Sequence, residues 1–423
     1  MPQTTPLPTT LLPPQQPLRP TSTTDAKPLP YTGSPMLLFL SDVRLLFRNA
    51  SSLPGIMLPI IASPPSPLDE LFPSPGNMLC LALHSFLIVV EFGFLLSLPA
   101  LVFVPLWAGM LWVVGVFGVV GGVSWVLNGE GEVRSRSGVL NAAEMREREK
   151  ECWVFLNGVS VGHHWLQNNV DRIAQTFRRP ILGVHNRTYG IIFDLIQCLI
   201  ERNFCYATDD IRRSYAIIRE KLLNPDYTKV VLILHSQGGI EGSLILDWLL
   251  GELSHDIIHK LEIYTFGSAA NHFNNPLRHV NSESSKNEHV HANAVRHIEH
   301  YTNNGEFVAR WGAITFAHTE NRYMGRMFIR PGSGHLLNQH YLKSMFPLGK
   351  DGRVMERNAF MDMDVELPGH HSGDHNTREY VETVLNEGDP VGGEHEQPRP
   401  VRTAKVKDFS RLWGYRNGMN PPE

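Results

Sequence analysis

The sequence predicts an α/β protein: a mostly parallel sheet flanked by helices, preceded by a two-helix transmembrane hairpin and a disordered N-terminus. Three observations carry this reading. Between residues 151 and 346, short β-branched runs alternate with helix-length segments, the pattern of a parallel sheet with helices on both faces. One run, residues 230–234, leads straight into His235-Ser236-Gln237-Gly238-Gly239 and a helix-like apolar stretch. Residues 78–127 carry a single formal charge, Glu91.

Composition sets broad bounds. The chain has 423 residues and a formal net charge of −4, so no general attraction to nucleic acid follows. Its cysteines, Cys80, Cys152, Cys198 and Cys205, form neither a metal spacing nor a disulfide framework. No cofactor-binding motif is evident, and no glycine-rich phosphate loop.

Residues 1–35 are dominated by Pro, Thr, Ser and Gln and are expected to be disordered. Scarce arginine and abundant proline speak against an amphipathic targeting helix there. Residues 36–77 form a membrane-proximal segment. Within it, 36–48 alternate apolar clusters with Asp42, Arg44 and Arg48, fitting either an interfacial helix or one packed on the protein. Residues 78–127 have room for two spans, roughly 79–98 and 103–127, since one crossing needs about 20 apolar residues. Gly109, Gly115, Gly118, Gly121 and Gly122 would allow close helix approach. The charge on Glu91 requires protonation, a partner or an interface.

Two spans leave both flanks on one side. Arg134, Arg136, Arg146, Arg148 and Lys150 follow the hairpin and favour the cytoplasm. The triplets starting at Asn49 and Asn186 would, as glycosylation acceptors, argue the reverse. Residues 128–150 read as a linker or short helix, 151–385 as the globular domain and 386–423 as a tail. Strands are expected at 152–156, 181–186, 230–235, 261–268, 295–301 and 323–329. Helices are expected at 163–178, 191–204, 208–223, 240–250 and 334–346, and the aromatic stretch 409–415 should dock on the domain.

A strand, a sharp turn bearing Ser236 and a helix make the context of a nucleophile elbow. Such a turn lifts the serine above the sheet edge, with the helix N-terminus facing a developing oxyanion. Leu234 stands where this motif usually has glycine. A serine nucleophile needs a base, and the base needs an orienting acid. Glu306, on the turn after the 295–301 strand, is the candidate acid ahead of Glu299 and Glu320; Asp247 and Asp256 come before the next strand. His335, at a loop-to-helix junction, and His340, deeper in the expected helix, are the candidate bases. The backbone N–H groups of Val159 and Gln237 are the candidate oxyanion donors. The histidines at 370, 371 and 375 lack a second cluster to complete a metal site, and His163 and His164 read as structural or pocket-lining.

Together, Asn157-Gly158-Val159, His235 to Gly239, Thr265-Phe266-Gly267-Ser268 and Gly334-His335 resemble the α/β-hydrolase superfamily, particularly lipase-like serine esterases. Thr265-Phe266-Gly267 looks like the strand after the nucleophile helix in class 3 lipases; Glu306-Phe307-Val308 resembles their Asp-x-Val turn. The resemblance covers about 151–346 and implies Ser236 as nucleophile, Glu306 as acid and His335 or His340 as base. The expectation is a membrane-anchored hydrolase of carboxylic, lipid-type esters. A non-catalytic hydrolase scaffold and an acyltransferase with the same triad are the alternatives.

Overall fold

The computed structural model describes residues 7–15, 33–61, 64–129, 131–136, 139–140, 142–278, 293–319, 321–367 and 404–422. One sheet runs through the molecule. Its strands are β1 (Thr9–Leu12), β2 (Glu132–Arg134), β3 (Glu151–Leu156), β4 (Ile181–Val184), β5 (Lys229–His235), β6 (Leu261–Phe266), β7 (His297–Asn303), β8 (Arg326–Arg330) and β9 (Val365–Glu366). They lie in the order β2-β4-β3-β5-β6-β7-β8-β1-β9. β4, β3, β5, β6, β7 and β8 are mutually parallel, so their carboxyl ends share one edge, where sites of open α/β sheets form.

The central strands are apolar on both faces because helices cover both. Trp153, Phe155, Val231, Ile233, Tyr264, Phe266, Tyr301 and Phe328 face one core. Their strand neighbours Val154, Leu156, Val230, Leu232, Leu234 and Ile263 face the other. The helices are α1 (Pro35–Asn49), α2 (Pro75–Ser97), α3 (Leu106–Asn128), α4 (Ala142–Glu147), α5 (His163–Phe177), α6 (Ile191–Phe204), α7 (Asp209–Leu223), α8 (Gly238–Glu252), α9 (His255–Ile258), α10 (Phe307–Trp311) and α11 (Ala313–Ala317). The tail docks on the first core. Phe409, Trp413 and Tyr415 are buried, Tyr415 lies edge-on to Trp153, and Arg411 pairs with Glu262 at 3.0 Å.

Several expectations are corrected. Residues 9–12 are ordered: β1 inserts beside β8, with Thr9 and Leu11 fully buried. β2 emerges from the expected linker as an antiparallel partner of β4. Both are short additions, β2 at one edge and β1 between β8 and β9, whose stability comes from non-local pairing, which local composition does not encode. The expected helix 334–346 starts later, as a π-helical segment at Leu337–Leu342. Residues 386–403 of the tail, the histidines at 370, 371 and 375, and Glu320 lie outside the described residues.

α2 and α3 are long and apolar enough to cross a membrane, 23 residues each. Most of their surface is uncovered; Phe103, between them, is 88% exposed. Gly115, Gly118, Gly121 and Gly122 do not mediate the helix pairing, for a Cβ at any of them would meet open space. The pair is tied instead by Trp112 donating to Ser97 Oγ at 2.8 Å and by Phe94 set edge-on to Phe117.

The hairpin docks at the carboxyl edge of the sheet. His84 stacks on Trp165, whose indole donates to Asn77 at 2.9 Å. Asn128 and the Thr188 backbone exchange two hydrogen bonds. Glu91, fully buried, accepts from the Ile192 N–H at 2.9 Å and caps α6, where a carboxylate meets the positive helix end.

The bulk of Leu234 is accommodated by Gly242, one turn into α8. A Cβ there would overlap Leu234 Cδ1. Gly242→Ala should therefore destabilise the fold by about 1–3 kcal/mol through overpacking. Leu234→Ala in the same chain should recover part of that loss, read as a shifted denaturant midpoint. Additive effects of the two changes would show that they do not share the space.

Candidate functional site

β5 ends at His235, and the next residue turns sharply. Ser236 has φ of +57°, a left-handed conformation that costs a non-glycine residue roughly 1–3 kcal/mol. The surroundings hold it there. Its N–H donates to Phe266 O at 3.1 Å, and its carbonyl accepts from Gly239 and Ala269 at 3.0 Å. The loop after β3 presses on it from above. A Cβ on Gly158 would overlap Ser236 Cβ and lie 2.9 Å from Oγ. Gly238 is equally constrained, since a Cβ there would come within 2.5 Å of Leu156 O. Among the described residues, the N–H groups of Val159 and Gln237 donate to no protein acceptor.

Asn157 fixes that loop by donating to Gly158 O and Asn186 O, both at 2.9 Å, while its oxygen accepts from Asn186 N. Asn186 then donates to Gln237 Oε1 at 2.7 Å, and Gln237 donates to Glu201 at 2.9 Å. Gln197 and Thr208 also donate to Glu201. This buried chain supports the turn from below, yet it joins four separate segments, at Asn157, Asn186, Gln237 and Glu201, and leaves no local signal in the sequence. Glu241, fully buried on α8, has no hydrogen-bond partner at either carboxyl oxygen.

His335 arrives from the loop after β8. Its Nδ1 lies 3.2 Å from Glu306 Oε1, an ion-pair separation whose direction does not make a hydrogen bond. Glu306 is fully buried and also caps α10, accepting from Val308 N at 2.6 Å and Ala309 N at 2.8 Å. A carboxylate has lone pairs enough for both tasks. The imidazole packs over Gly267, where a Cβ would come within 2.7 Å of Nδ1. Gly267 directly follows Phe266, the residue that anchors the Ser236 N–H. His335 Nε2 is buried with no hydrogen-bond partner. His235 lies 4.7 Å from His335, centroid to centroid, with its Nε2 2.7 Å from His335 O. Burial, and then the neighbouring His335, hold the His235 imidazole well below its ordinary range, so it is neutral and donates there.

The structure thus brings Ser236, Glu306 and His335 to one edge, together with the loop of Val159 and Gln237. It does not bring His340 to them. Its Nδ1 accepts from Leu336 N at 3.0 Å, and its Nε2 lies 2.9 Å from Pro59 O. Both nitrogens are engaged by backbone, and burial lowers the imidazole to about 4. The rival acids are occupied too: Asp247 with His272, Asp256 with Arg278, and Glu299 with Tyr301 and the tail backbone. His163 and His164 sit at the hairpin base, against Gly129 and Gly76. Among the described residues, no group of three or more His, Cys, Asp or Glu is placed to hold a metal.

A strap covers the edge. Residues 50–61 follow α1, and their backbone accepts from Gly334 N at 2.7 Å and His335 N at 2.9 Å. Arg310 on α10 donates to Ser52 Oγ at 2.9 Å. The strap turns Leu53, Met57, Leu58, Ile60 and Ile61 outward. Ser236 is 3% exposed and His335 6%. No family model matches this chain, and no curated protein matches it either.

Burial pushes the Glu201 carboxyl from 4.5 up to about 7, against the hydrogen bonds from Gln237, Gln197 and Thr208. A carboxyl raised on folding contributes stability that is complete below its unfolded value and lost as pH rises through its folded one. The contribution of Glu201 to thermal stability should accordingly fall between about pH 4.5 and 7. Glu201→Gln should lessen that fall; an unchanged slope in the variant would show that another group carries it.

Proposed function

We propose that this chain is a membrane-anchored serine hydrolase with an α/β-hydrolase-type fold, cleaving carboxylic esters of apolar acyl chains. The observations that carry the reading are Ser236, held at positive φ between a parallel strand and a helix, and a buried His335–Glu306 pair at the same carboxyl edge of the sheet. That combination matches the demands of nucleophilic acyl transfer and has no evident structural purpose.

In the proposed reaction, His335 Nε2 accepts the Ser236 hydroxyl proton as Oγ bonds to the ester carbonyl carbon. The carbonyl electron pair moves to oxygen, where the N–H groups of Gln237 and Val159 receive it. Glu306 keeps the proton of the imidazole on Nδ1 and stabilises the imidazolium. Collapse breaks the carbon–alkoxide bond, and His335 returns its proton to the leaving oxygen. Water then attacks the acyl-serine by the same route, releasing the carboxylic acid and restoring the serine hydroxyl. An alcohol in place of that water would make the same site an acyltransferase.

The α2–α3 hairpin and the outward apolar strap support delivery of substrate from a bilayer to this edge. The arginine-rich segment after α3 favours the cytoplasmic side for the domain. One observation favours the non-catalytic reading: His335 Nε2 has no partner, and Ser236 is covered. Under the enzymatic reading this is the closed form, and apo catalytic contacts are often long.

A fluorophosphonate probe should label the detergent-solubilised protein at Ser236 and fail on Ser236→Ala. Absence of labelling in the folded wild type would favour the scaffold reading. Gly267→Ala should slow turnover on a short-chain ester by about 100-fold, because the new Cβ pushes the imidazole off its position. Unchanged turnover in that variant would remove His335 from the mechanism.

A further inference from the structure

α1 carries a second feature that the hydrolytic site does not use. Asp42 faces inward and pairs with Arg202, which donates from Nε at 2.6 Å and from Nη2; Asn203 completes its shell at 2.7 Å. The negative charge of Asp42 is therefore neutralised inside the protein. Arg44 and Arg48 are one turn apart on α1, both exposed, and neither meets a carboxylate among the described residues. Across from them, Arg322 is held by Nε donating to Asn271 O at 2.8 Å and lies 4.0 Å over the Phe316 ring.

These residues line a cavity of about 600 Å³. Arg44, Arg48 and Arg322 line it, and among the described residues the one carboxylate in its wall, Asp42, is already paired. Proximity to the helix C-terminus accounts for Arg48, but not for Arg44. Clustered guanidinium groups match phosphate oxygens in geometry and charge. The volume exceeds that of a bare phosphate ion. Phe47, in the cavity lining, is 72% exposed, and Met36, Leu37 and Leu40, two to three turns N-terminal to it on α1, are exposed as well.

We propose that this cavity binds a phosphate group presented by an anionic phospholipid, with the acyl chains lying along the exposed apolar residues of α1. The site is independent of Ser236. α1 also packs against α10, whose N-cap is Glu306, so the bound headgroup would sit beside the helix that holds the proposed catalytic acid.

The test measures binding of three probes to the full chain in neutral detergent: dioctanoyl phosphatidate, dioctanoylglycerol and inorganic phosphate. Ser236→Ala serves as host so that turnover does not intervene. The phosphatidate should bind, and the exposed double variant Arg44→Gln/Arg48→Gln should weaken it by about 10- to 100-fold without lowering thermal stability. The glycerol lacks the phosphate and should bind no better than it does to the double variant. Inorganic phosphate binding as tightly as phosphatidate, with the same arginine dependence, would keep a phosphate site but overturn the lipid as its source. Phosphatidate binding that ignores both arginines, or no binding at all, would overturn the proposal outright.

Discussion

The candidate site depends on one backbone constraint, the left-handed turn at Ser236. Three chain segments meet around it with no space to spare: the loop at Gly158, the helix start at Gly238 and the strand end at Phe266–Gly267. Side chains at the two flanking glycines would strike Ser236 itself or the Leu156 carbonyl. The polar chain from Asn157 through Asn186 and Gln237 to Glu201 then fixes the loop against the turn. Because interiors are close-packed, this cluster has few alternative arrangements, and the strain at Ser236 persists only because the neighbours over-determine it.

The second organising element is the N-terminal third of the chain. α1, the strap and the α2–α3 hairpin all gather at the carboxyl edge of the sheet. Glu91 shows how an apolar hairpin is fixed in orientation: one carboxylate, placed on the N-terminus of α6, gives a directional contact that aliphatic packing lacks. The strap works similarly on the other side, through backbone carbonyls that receive the Gly334 and His335 N–H groups. The apolar surface of the molecule is concentrated on these same segments, so the edge that carries the serine is also the edge suited to lipid contact.

Much of this was legible in the sequence, for identifiable reasons. The 230–250 stretch combines strand, turn and helix signals within one window, so the elbow could be read locally. Glu306 and His335 were singled out by chain order and by their positions after strands, and the structure places them 3.2 Å apart. The choice between His335 and His340 was not legible, since it rests on Pro59 and Leu336 engaging the second ring. β1 and β2 were missed because their partners lie far away in sequence. The departure at Leu234 is resolved only in three dimensions, by the missing side chain of Gly242. Gly115, Gly118, Gly121 and Gly122 of α3 were misread for a related reason: composition cannot say which way a residue faces, and these face outward.

The central claim is that Ser236 becomes acylated through His335. Its most direct measurement is peptide mass analysis after brief mixing with a p-nitrophenyl acyl ester, alongside the release of nitrophenol. The account predicts a burst of about one nitrophenol per chain and one acyl group on the Ser236 peptide, both lost in His335→Ala. Nitrophenol release without an acyl-Ser236 peptide, or an adduct that forms equally in His335→Ala, would contradict it.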